Sequence, residues 1–259
     1  MSELDPGRIR KILVREVNWV GDAVLTLPAL DALDLRYPAA EIVVLGRSWV
    51  AGLFGGQPSV DRVVTFDSAG ARGGLAGRRA LARSLRDDRF DLAVLFPNSF
   101  DAALVPWLAG IPARVGYPTD GRRVLLTHPV QRSARTGERH QVFRYLGLTR
   151  ALGGDGDALP RLAVRGDAVH AADELLAQHG VDAHARLIAV NPGSVYGSAK
   201  RWPAERFAAV ADALAVRRGA RVVLIGSGRE ADVLQVVARA MRQPAVVLGG
   251  RTDIGMLPG

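Results

Sequence analysis

The chain has 259 residues, of which 48% are hydrophobic and 23% charged, a composition typical of a folded protein with one large core or two ordinary ones. The absence of cysteine excludes a disulfide framework, a thiol nucleophile and a zinc–thiolate site, and the five histidines show no metal-ligand spacing. No apolar run approaches the roughly 18 residues that a membrane-spanning helix needs, and the first residues lack a signal-peptide pattern, so we expect a cytoplasmic protein without a metal site.

The formal net charge of +8 is distributed unevenly along the chain. Residues 1–150 contain 21 basic and 15 acidic side chains and the remainder 13 and 11, which gives +6 and +2. Such a bias favours an anionic partner, such as a phosphorylated glycolipid or an anionic membrane face. Nucleic acid is the weaker choice, because the basic residues are dispersed between apolar segments and few aromatic side chains are available for base stacking. An arginine-rich solvated surface without a partner explains the bias equally well.

Short apolar, β-branched runs alternate with helical periodicity, a pattern that predicts parallel βαβ units. In the first half, strands are predicted at Lys11 to Val17, Glu41 to Leu45, Arg62 to Phe66, Asp91 to Leu95 and Arg114 to Gly116, with amphipathic helices at Ala23 to Arg36 and Leu75 to Arg86. The turn-rich segment Gly153 to Pro160 indicates a boundary, which divides the chain into domains 1–160 and 161–259.

The alternation resumes after this boundary. We predict helices at Ala168 to Gln178, after Pro203 and at Glu230 to Met241, and strands at Leu187 to Val190, Arg221 to Ile225 and Ala245 to Leu248. The chain stops at Gly259, soon after Asp253, which the pattern predicts to be the N-cap of another helix. We therefore expect an α/β protein with two Rossmann-like, doubly wound parallel sheets, the second incomplete.

The first segment with potential chemistry runs from Asn18 to Leu30 and follows the first strand, where open α/β sheets place ligands. Asn18 and Gly21 are candidate substrate-binding residues, and Gly21 is expected to permit a tight turn. Asp22 follows it, and a carboxylate in this place can take a proton from a substrate hydroxyl as a general base. The alternative is that Asp22 only caps the helix, which the local pattern alone favours.

A second segment follows the fourth strand. Asn98 and Ser99 are candidate substrate-binding residues, because neutral hydrogen-bonding groups orient sugar hydroxyls, and Phe100 and Trp107 offer apolar faces. The simpler alternative is that Asn98 or Ser99 caps the next helix and that the aromatic side chains belong to the core.

A third segment, NPGSVYGSAKRWP, leads from a strand into the helix after Pro203. Gly193 lets the backbone approach a ligand, Ser194 and Ser198 offer hydroxyl groups, and a helix N-terminus favours an anion. The segment therefore predicts a phosphate-binding loop, although it has neither the Walker spacing nor the GxGxxG spacing.

Lysine is rare in this chain, since only Lys11 and Lys200 occur among 34 basic residues. Lys200 lies in the third segment, where a compact ammonium group can neutralise charge on a leaving phosphate. The alternative is an exposed basic residue beside Arg201. Farther on, Glu230 lies where acidic residues of nucleotide-binding units bind ribose hydroxyls, although a glutamate at a helix start also compensates the helix dipole.

These three segments, in this order and at these intervals, resemble the ADP-heptose-dependent lipopolysaccharide heptosyltransferase family, and its heptosyltransferase II branch most closely. The resemblance implies a GT-B architecture, with an acceptor-binding N-terminal domain and a nucleotide-sugar-binding C-terminal domain across a cleft. It also implies inverting, metal-independent transfer of L-glycero-D-manno-heptose from ADP-heptose to the inner core of lipopolysaccharide, with no cofactor beyond the ADP-sugar.

The resemblance also implies roles for individual residues. Asp22 would be the base, Lys200 would contact the diphosphate with Ser194 and Ser198, and Glu230 would bind the ribose. Peripheral contact with the anionic face of the inner membrane is expected. We further expect four arginines to face the acidic groups of the acceptor: Arg47, Arg62, Arg122 and Arg123.

The family motif Asp-Ser-Gly-x-x-His does not occur in the 259 residues. Because this motif helps to form the donor site, we expect an incomplete second domain and weak or absent transfer. The alternatives are a related transferase for another glycan and a non-catalytic glycolipid-binding module. A nucleotide-dependent oxidoreductase is disfavoured by the missing GxGxxG motif.

Overall fold

The computed structural model describes residues 4–67, 74–131, 140–194 and 200–256. The chain divides into two compact units, residues 1–163 and residues 164–259. Each unit contains a parallel sheet with helices, so the predicted α/β class with two Rossmann-like sheets, the second small, is confirmed. The functional assignment of the two predicted domains stays a prediction.

The first unit contains a six-stranded parallel sheet with the order β3-β2-β1-β4-β5-β6, the doubly wound order of Rossmann folds. Its strands are β1 Lys11–Arg15, β2 Glu41–Gly46, β3 Arg62–Thr65, β4 Leu92–Leu95, β5 Ala113–Gly116 and β6 His128–Pro129. Its helices are α1 Val20–Val24, α2 Leu27–Arg36, α3 Ser48–Ala51, α4 Gly74–Asp87, α5 Phe100–Leu108 and α6 Gln141–Arg150, and Arg122–Leu125 forms a 3-10 turn.

The central strands are short apolar runs because helices cover both faces of this sheet. On one face, Leu13, Val43 and Leu95 pack against apolar side chains of α4 and α5, such as Leu85 and Ala103. Helices α2 and α6 pack against each other. The sheet thus forms a rigid platform from which the turns after each strand project.

One predicted helix is wrong: residues 23 to 36 form two helices, not one. Pro28, at the start of α2, has no backbone N–H to donate to the carbonyl of Val24, so α1 ends at Val24. The hydroxyl of Thr26 donates a hydrogen bond to the carbonyl of Ala23 at 2.7 Å, which gives a carbonyl in the last turn of α1 a hydrogen-bond donor.

The second unit contains a three-stranded parallel sheet with the order β7-β8-β9. Its elements are α7 Gly166–Gln178, β7 Arg186–Val190, α8 Ala204–Arg218, β8 Ala220–Leu224, a 3-10 turn Gly228–Glu230, α9 Ala231–Ala240 and β9 Ala245–Val247. Helices α8 and α9 cover one face of the sheet, and Leu175 and Leu176 of α7 pack on the other. Asp253 accepts hydrogen bonds from the backbone N–H of Gly255 and Met256, the contacts expected of an N-cap. The described residues after it form a turn, so the predicted helix stays a prediction.

No helix within the described part of the chain is long and apolar enough to cross a membrane.

Candidate functional site

The first unit has a topological switch point between β1 and β4, where the strand order reverses. Ligands of open α/β sheets bind outside the carboxyl ends of strands at such a point. The turn after β1 carries Asn18, Gly21 and Asp22, and the turn after β4 carries Asn98 and Ser99. Since β1 and β4 pair directly, the structure brings the first two predicted segments to the same place on the sheet edge.

Asp22 is the third residue of α1 and is half-buried. The N-cap of this helix is Trp19, whose side chain makes no capping hydrogen bond, so the interpretation of Asp22 as the N-cap is wrong. Asp22 forms no hydrogen bond or ion pair with any residue that the structure describes. A carboxylate without a protein partner at this edge is available to a substrate hydroxyl.

Glu16, directly after β1, is fully buried below this turn. Its Oε1 accepts a hydrogen bond from the N–H of Val17 at 2.7 Å, and its Oε2 lies 3.1 Å from the hydroxyl of Thr26. Burial raises the pKa of the Glu16 carboxyl to about 8, and the nearby charge of Asp22 acts in the same direction. At neutral pH, Glu16 therefore keeps its proton and adds no negative charge below Asp22.

The other two predicted residues of the first turn differ in their surroundings. Asn18 accepts a hydrogen bond from the indole N–H of Trp49 at its backbone carbonyl, whereas its buried side-chain Oδ1 has no partner among the described residues. Gly21 has no positive φ, so the expected tight turn at this glycine is wrong. An added Cβ on Gly21 would find no atom within 4 Å, which leaves open space beside Asp22.

In the second turn, Ser99 caps α5, since its side chain accepts a hydrogen bond from the N–H of Ala102 at 3.3 Å. The capping alternative for Ser99 is therefore confirmed, and it leaves the hydroxyl proton free to donate. The backbone carbonyl of Asn98 accepts a hydrogen bond from the hydroxyl of Thr119 at 2.8 Å. Phe100 and Trp107 are 39% and 47% exposed, so the expectation that they belong to the core is wrong.

Two of the four arginines expected to face the acceptor have other roles. Arg122 is fully buried, and its guanidinium donates to the carbonyls of Tyr117, Pro97 and Ser99, so it supports the second turn from below. Arg62 lies at the amino end of β3, where it pairs with two carboxylates, of Glu41 and Asp88. Because the amino ends of the strands are opposite the switch point, Arg62 is far from the predicted site. The expectation is wrong for both residues.

The third predicted segment lies in the second unit, after β7. Ser198 lies outside the described residues. The N–H of Gly193 donates to Oδ1 of Asn191 at 3.3 Å, and the carbonyl of Ser194 accepts from the guanidinium of Arg201 at 3.0 Å. Lys200 is exposed.

Glu230 is the third residue of a capping box. Its Oε2 accepts hydrogen bonds from the N–H and the hydroxyl of Ser227 at 2.9 and 2.7 Å. Glu230 therefore stabilises the start of a helical turn, as the alternative to ribose binding predicted. An added Cβ on Gly193 would lie 2.0 Å from Oε1 of Glu230. The structure thus brings two predicted residues, Gly193 and Glu230, into contact at the carboxyl edge of the second sheet.

A cavity of about 260 Å³ lies beside the third segment, between the start of α8 and α9. Its lining is mainly apolar and includes Pro192, Trp202, Phe207 and Val236. None of the predicted site residues lines this cavity, so it supports no role for them.

Arg15 and Glu16 were missed as functional residues. The signal was present, because two adjacent charges end an apolar run that becomes a central strand, and both faces of such a strand are buried. A charged side chain in this position needs a specific reason to be there.

The model of glycosyltransferase family 9 (heptosyltransferase) matches residues 78–257 of this chain. A curated protein, lipopolysaccharide heptosyltransferase 2 of Escherichia coli strain K12, is 32% identical over 240 residues, which cover 89% of this chain and 67% of the relative.

Two solved structures are similar over most of the chain. The family 9 glycosyl transferase of Veillonella parvula superposes with a TM-score of 0.84 at 25% identity, covering 96% of this chain and 71% of the other. The ADP-heptose lps heptosyltransferase II of E. coli superposes with a TM-score of 0.81 at 29% identity, covering 95% and 75%. These matches confirm the predicted GT-B fold class.

Proposed function

The chain belongs to glycosyltransferase family 9, the heptosyltransferases, and from this we propose that its reaction is that of a heptosyltransferase II, with weak or absent turnover in these 259 residues. This reaction transfers L-glycero-D-manno-heptose from ADP-heptose to the inner core of lipopolysaccharide. The names of an E. coli relative, lipopolysaccharide heptosyltransferase 2, and of an E. coli structure, ADP-heptose lps heptosyltransferase II, support an ADP-heptose donor and a lipopolysaccharide acceptor. The chain spans 67% of the length of the first of them.

Asp22 is the residue on which the proposed chemistry depends. Its carboxylate has no partner among the described residues and lies at the switch point of the first sheet. In the proposed reaction, Asp22 takes the proton of the acceptor hydroxyl while the hydroxyl oxygen bonds to the anomeric carbon. The bond from that carbon to the diphosphate oxygen breaks on the opposite face, ADP leaves with the electron pair, and the configuration inverts.

The neighbouring Glu16 supports this role for Asp22. An ionised Glu16 would repel a carboxylate at Asp22, whereas a buried, protonated Glu16 does not. Glu16 also fixes the turn through Val17 and Thr26, so the base would be held in position before the substrate binds.

The second unit would bind the donor. We propose that Lys200, with Ser194 and Ser198, neutralises the charge that develops on the departing diphosphate. Glu230 would bind the ribose through Oε1, because Oε2 is already held by Ser227. A side chain fixed at one oxygen loses little conformational freedom when the other binds a ligand, which favours this role.

The charge of the first unit supports an anionic acceptor and peripheral contact with an anionic membrane face. Raising the ionic strength should therefore weaken the binding of the acceptor more than the binding of ADP.

A panel of ADP-, UDP- and GDP-sugars tests the function, with donor binding and sugar transfer to a deacylated inner-core oligosaccharide measured separately. We expect ADP-heptose to bind above the other donors, with weak transfer at most from this chain. Preferred binding of, or transfer from, a different sugar nucleotide would identify a related glycosyltransferase. Binding of the oligosaccharide without binding of any sugar nucleotide would identify a glycolipid-binding module and contradict the proposal.

A further inference from the structure

Two arginines and one phenylalanine meet at the carboxyl ends of three adjacent strands. Arg15 is the last residue of β1, Arg47 directly follows β2, and Phe66 directly follows β3. The guanidinium carbons of Arg15 and Arg47 lie 4.2 and 4.4 Å from the centre of the Phe66 ring. Both distances are within the range of a cation–π contact, so the two positive charges share one aromatic ring.

The two guanidinium groups repel each other, and backbone carbonyls compensate this only in part: Arg15 donates to the carbonyls of Glu16 and Leu45. Neither Arg15 nor Arg47 has a carboxylate within 4 Å in the described ranges, whereas Arg62 and Arg78 of the same unit both form ion pairs. Burial lowers the pKa of Arg15 to about 10, and the charge of Arg47 acts in the same direction. Two cations held together in this way favour the binding of an anion.

The neighbouring acidic groups are occupied or neutral. Asp101 pairs with Arg78, and Asp67 accepts a hydrogen bond from the hydroxyl of Ser48 at 3.0 Å. Glu16, next to Arg15 in the chain, keeps its proton at neutral pH, as described above. The buried Nε of Arg47 has no hydrogen-bond acceptor within the described part of the chain, so its capacity to donate is unused.

The arginine pair is connected to the turn of the proposed base. The guanidinium of Arg47 lies 5.6 Å from the ring of Trp49, and the indole N–H of Trp49 donates to the backbone carbonyl of Asn18 at 2.8 Å. Asn18 precedes Asp22 in the same turn. An anion at the arginines and a hydroxyl at Asp22 would therefore lie along the same edge of the sheet, where one molecule can present both.

We propose that Arg47 and Arg15 form a subsite for an oxyanion, a carboxylate or a phosphate group, carried by the acceptor glycan. Arg47 is half-buried and can contact the oxyanion directly, whereas Arg15 is 5% exposed and adds its positive charge from below. Guanidinium groups bind both oxyanions through paired hydrogen bonds. The subsite rests on the proposed function only for the identity of the molecule that carries the oxyanion.

The test measures the affinity of the full chain for a deacylated inner-core oligosaccharide in three forms: untreated, treated with phosphatase, and with its carboxyl groups converted to methyl esters. We expect the wild-type chain to bind at least one modified form more weakly, on the order of tenfold, which identifies the oxyanion. The Arg47→Gln variant should bind the untreated oligosaccharide as weakly as the wild-type chain binds the modified form. It should also bind all three forms with similar affinity. Arg10→Gln is the matched control, since Arg10 is exposed at the opposite, amino end of β1 and should behave as wild type.

Equal binding of all three forms by the wild-type chain would overturn the subsite, and so would discrimination that survives in Arg47→Gln. Unfolding midpoints of both variants establish that they are folded. If discrimination depends on Arg47 while no sugar nucleotide binds, the transferase proposal fails and the subsite stands, so the two failures are distinguishable.

Discussion

The carboxylate of Glu230 occupies the space that a side chain on Gly193 would need, since an added Cβ there would lie 2.0 Å from Oε1. Gly193 has no positive φ, so packing and not backbone conformation requires this glycine. The two residues belong to different turns at the carboxyl edge of the second sheet, and both are proposed to bind the nucleotide.

Gly193→Ala should therefore displace the carboxylate of Glu230 and weaken the binding of ADP, with a small loss of stability, because the end of a flexible side chain can move aside. Gly21→Ala is the matched control, because nothing lies within 4 Å of its added Cβ and its backbone is helical. It should keep the stability or raise it by up to about 1 kcal/mol. Titration calorimetry with ADP and thermal unfolding measure both effects, and normal ADP affinity in Gly193→Ala would contradict the packing argument.

Asp22→Asn should lower the rate of heptose transfer by about a hundredfold or more, the scale of losing a general base, and leave ADP affinity unchanged. Stability should also stay the same, because Asp22 has no hydrogen bond or ion pair to lose within the described residues. Asp31→Asn, at an exposed position of α2, removes an equal charge and should keep full activity. Single-turnover transfer is the measurement, and an active Asp22→Asn variant would require another base.

Glu16 should make the stability of the protein depend on pH. Its pKa is about 8 in the folded chain and about 4.5 when exposed, so between these values the unfolded chain binds fewer protons than the folded one. Stability therefore falls as the pH rises through this window, at most by about 1.4 kcal/mol per pH unit, and this contribution is constant above pH 8.

Glu16→Gln tests this dependence, since an amide can accept from the N–H of Val17 and donate to the hydroxyl of Thr26 without titrating. Denaturant unfolding at a series of pH values should show a smaller decline in the variant than in the wild type. Parallel curves would show that Glu16 is ionised in the folded chain.

Arg122→Lys should cost roughly 1–3 kcal/mol of unfolding free energy, because one ammonium group cannot reach all the carbonyls that the guanidinium holds and leaves buried acceptors unpaired. The adjacent Arg123 is exposed, and Arg123→Lys should stay within about 0.5 kcal/mol of wild type. Chemical denaturation gives the unfolding free energy of the two variants and so compares a buried arginine with its exposed neighbour in the chain. Equal stabilities would refute the supporting role of Arg122.

The strands could be predicted from the sequence because burial on both faces produces short, uninterrupted apolar runs, as in β2. Helix α6 was not predicted. Considered only with its neighbours in the sequence, Gly147 indicates an interruption of the helix. In the structure, an added Cβ at Gly147 would lie 2.6 Å from the hydroxyl of Tyr117. This hydroxyl donates a hydrogen bond to the carbonyl of Arg144. A contact with a distant turn, and not local propensity, explains this glycine.

The candidate site shows the same limit. Asp22 could be predicted because its segment is distinctive, whereas the role of Glu16 depends on Thr26 and on complete burial, which no local pattern contains. Arg122 was expected on the surface because charged side chains are usually exposed. Its burial follows from three backbone carbonyls that converge on one point in the folded chain.

The two sheets differ in what they offer to a strand from another molecule. The first ends at β6, which has two residues, one of them a proline without an N–H, so it is a poor template for added pairing. The second begins at β7, which has five residues, and no strand of the described chain pairs with its outer side. Leu187 of this strand is 45% exposed. Among the described residues, β7 therefore leaves more unpaired backbone groups than β6 for a further strand, whether that strand comes from this protein or from another molecule.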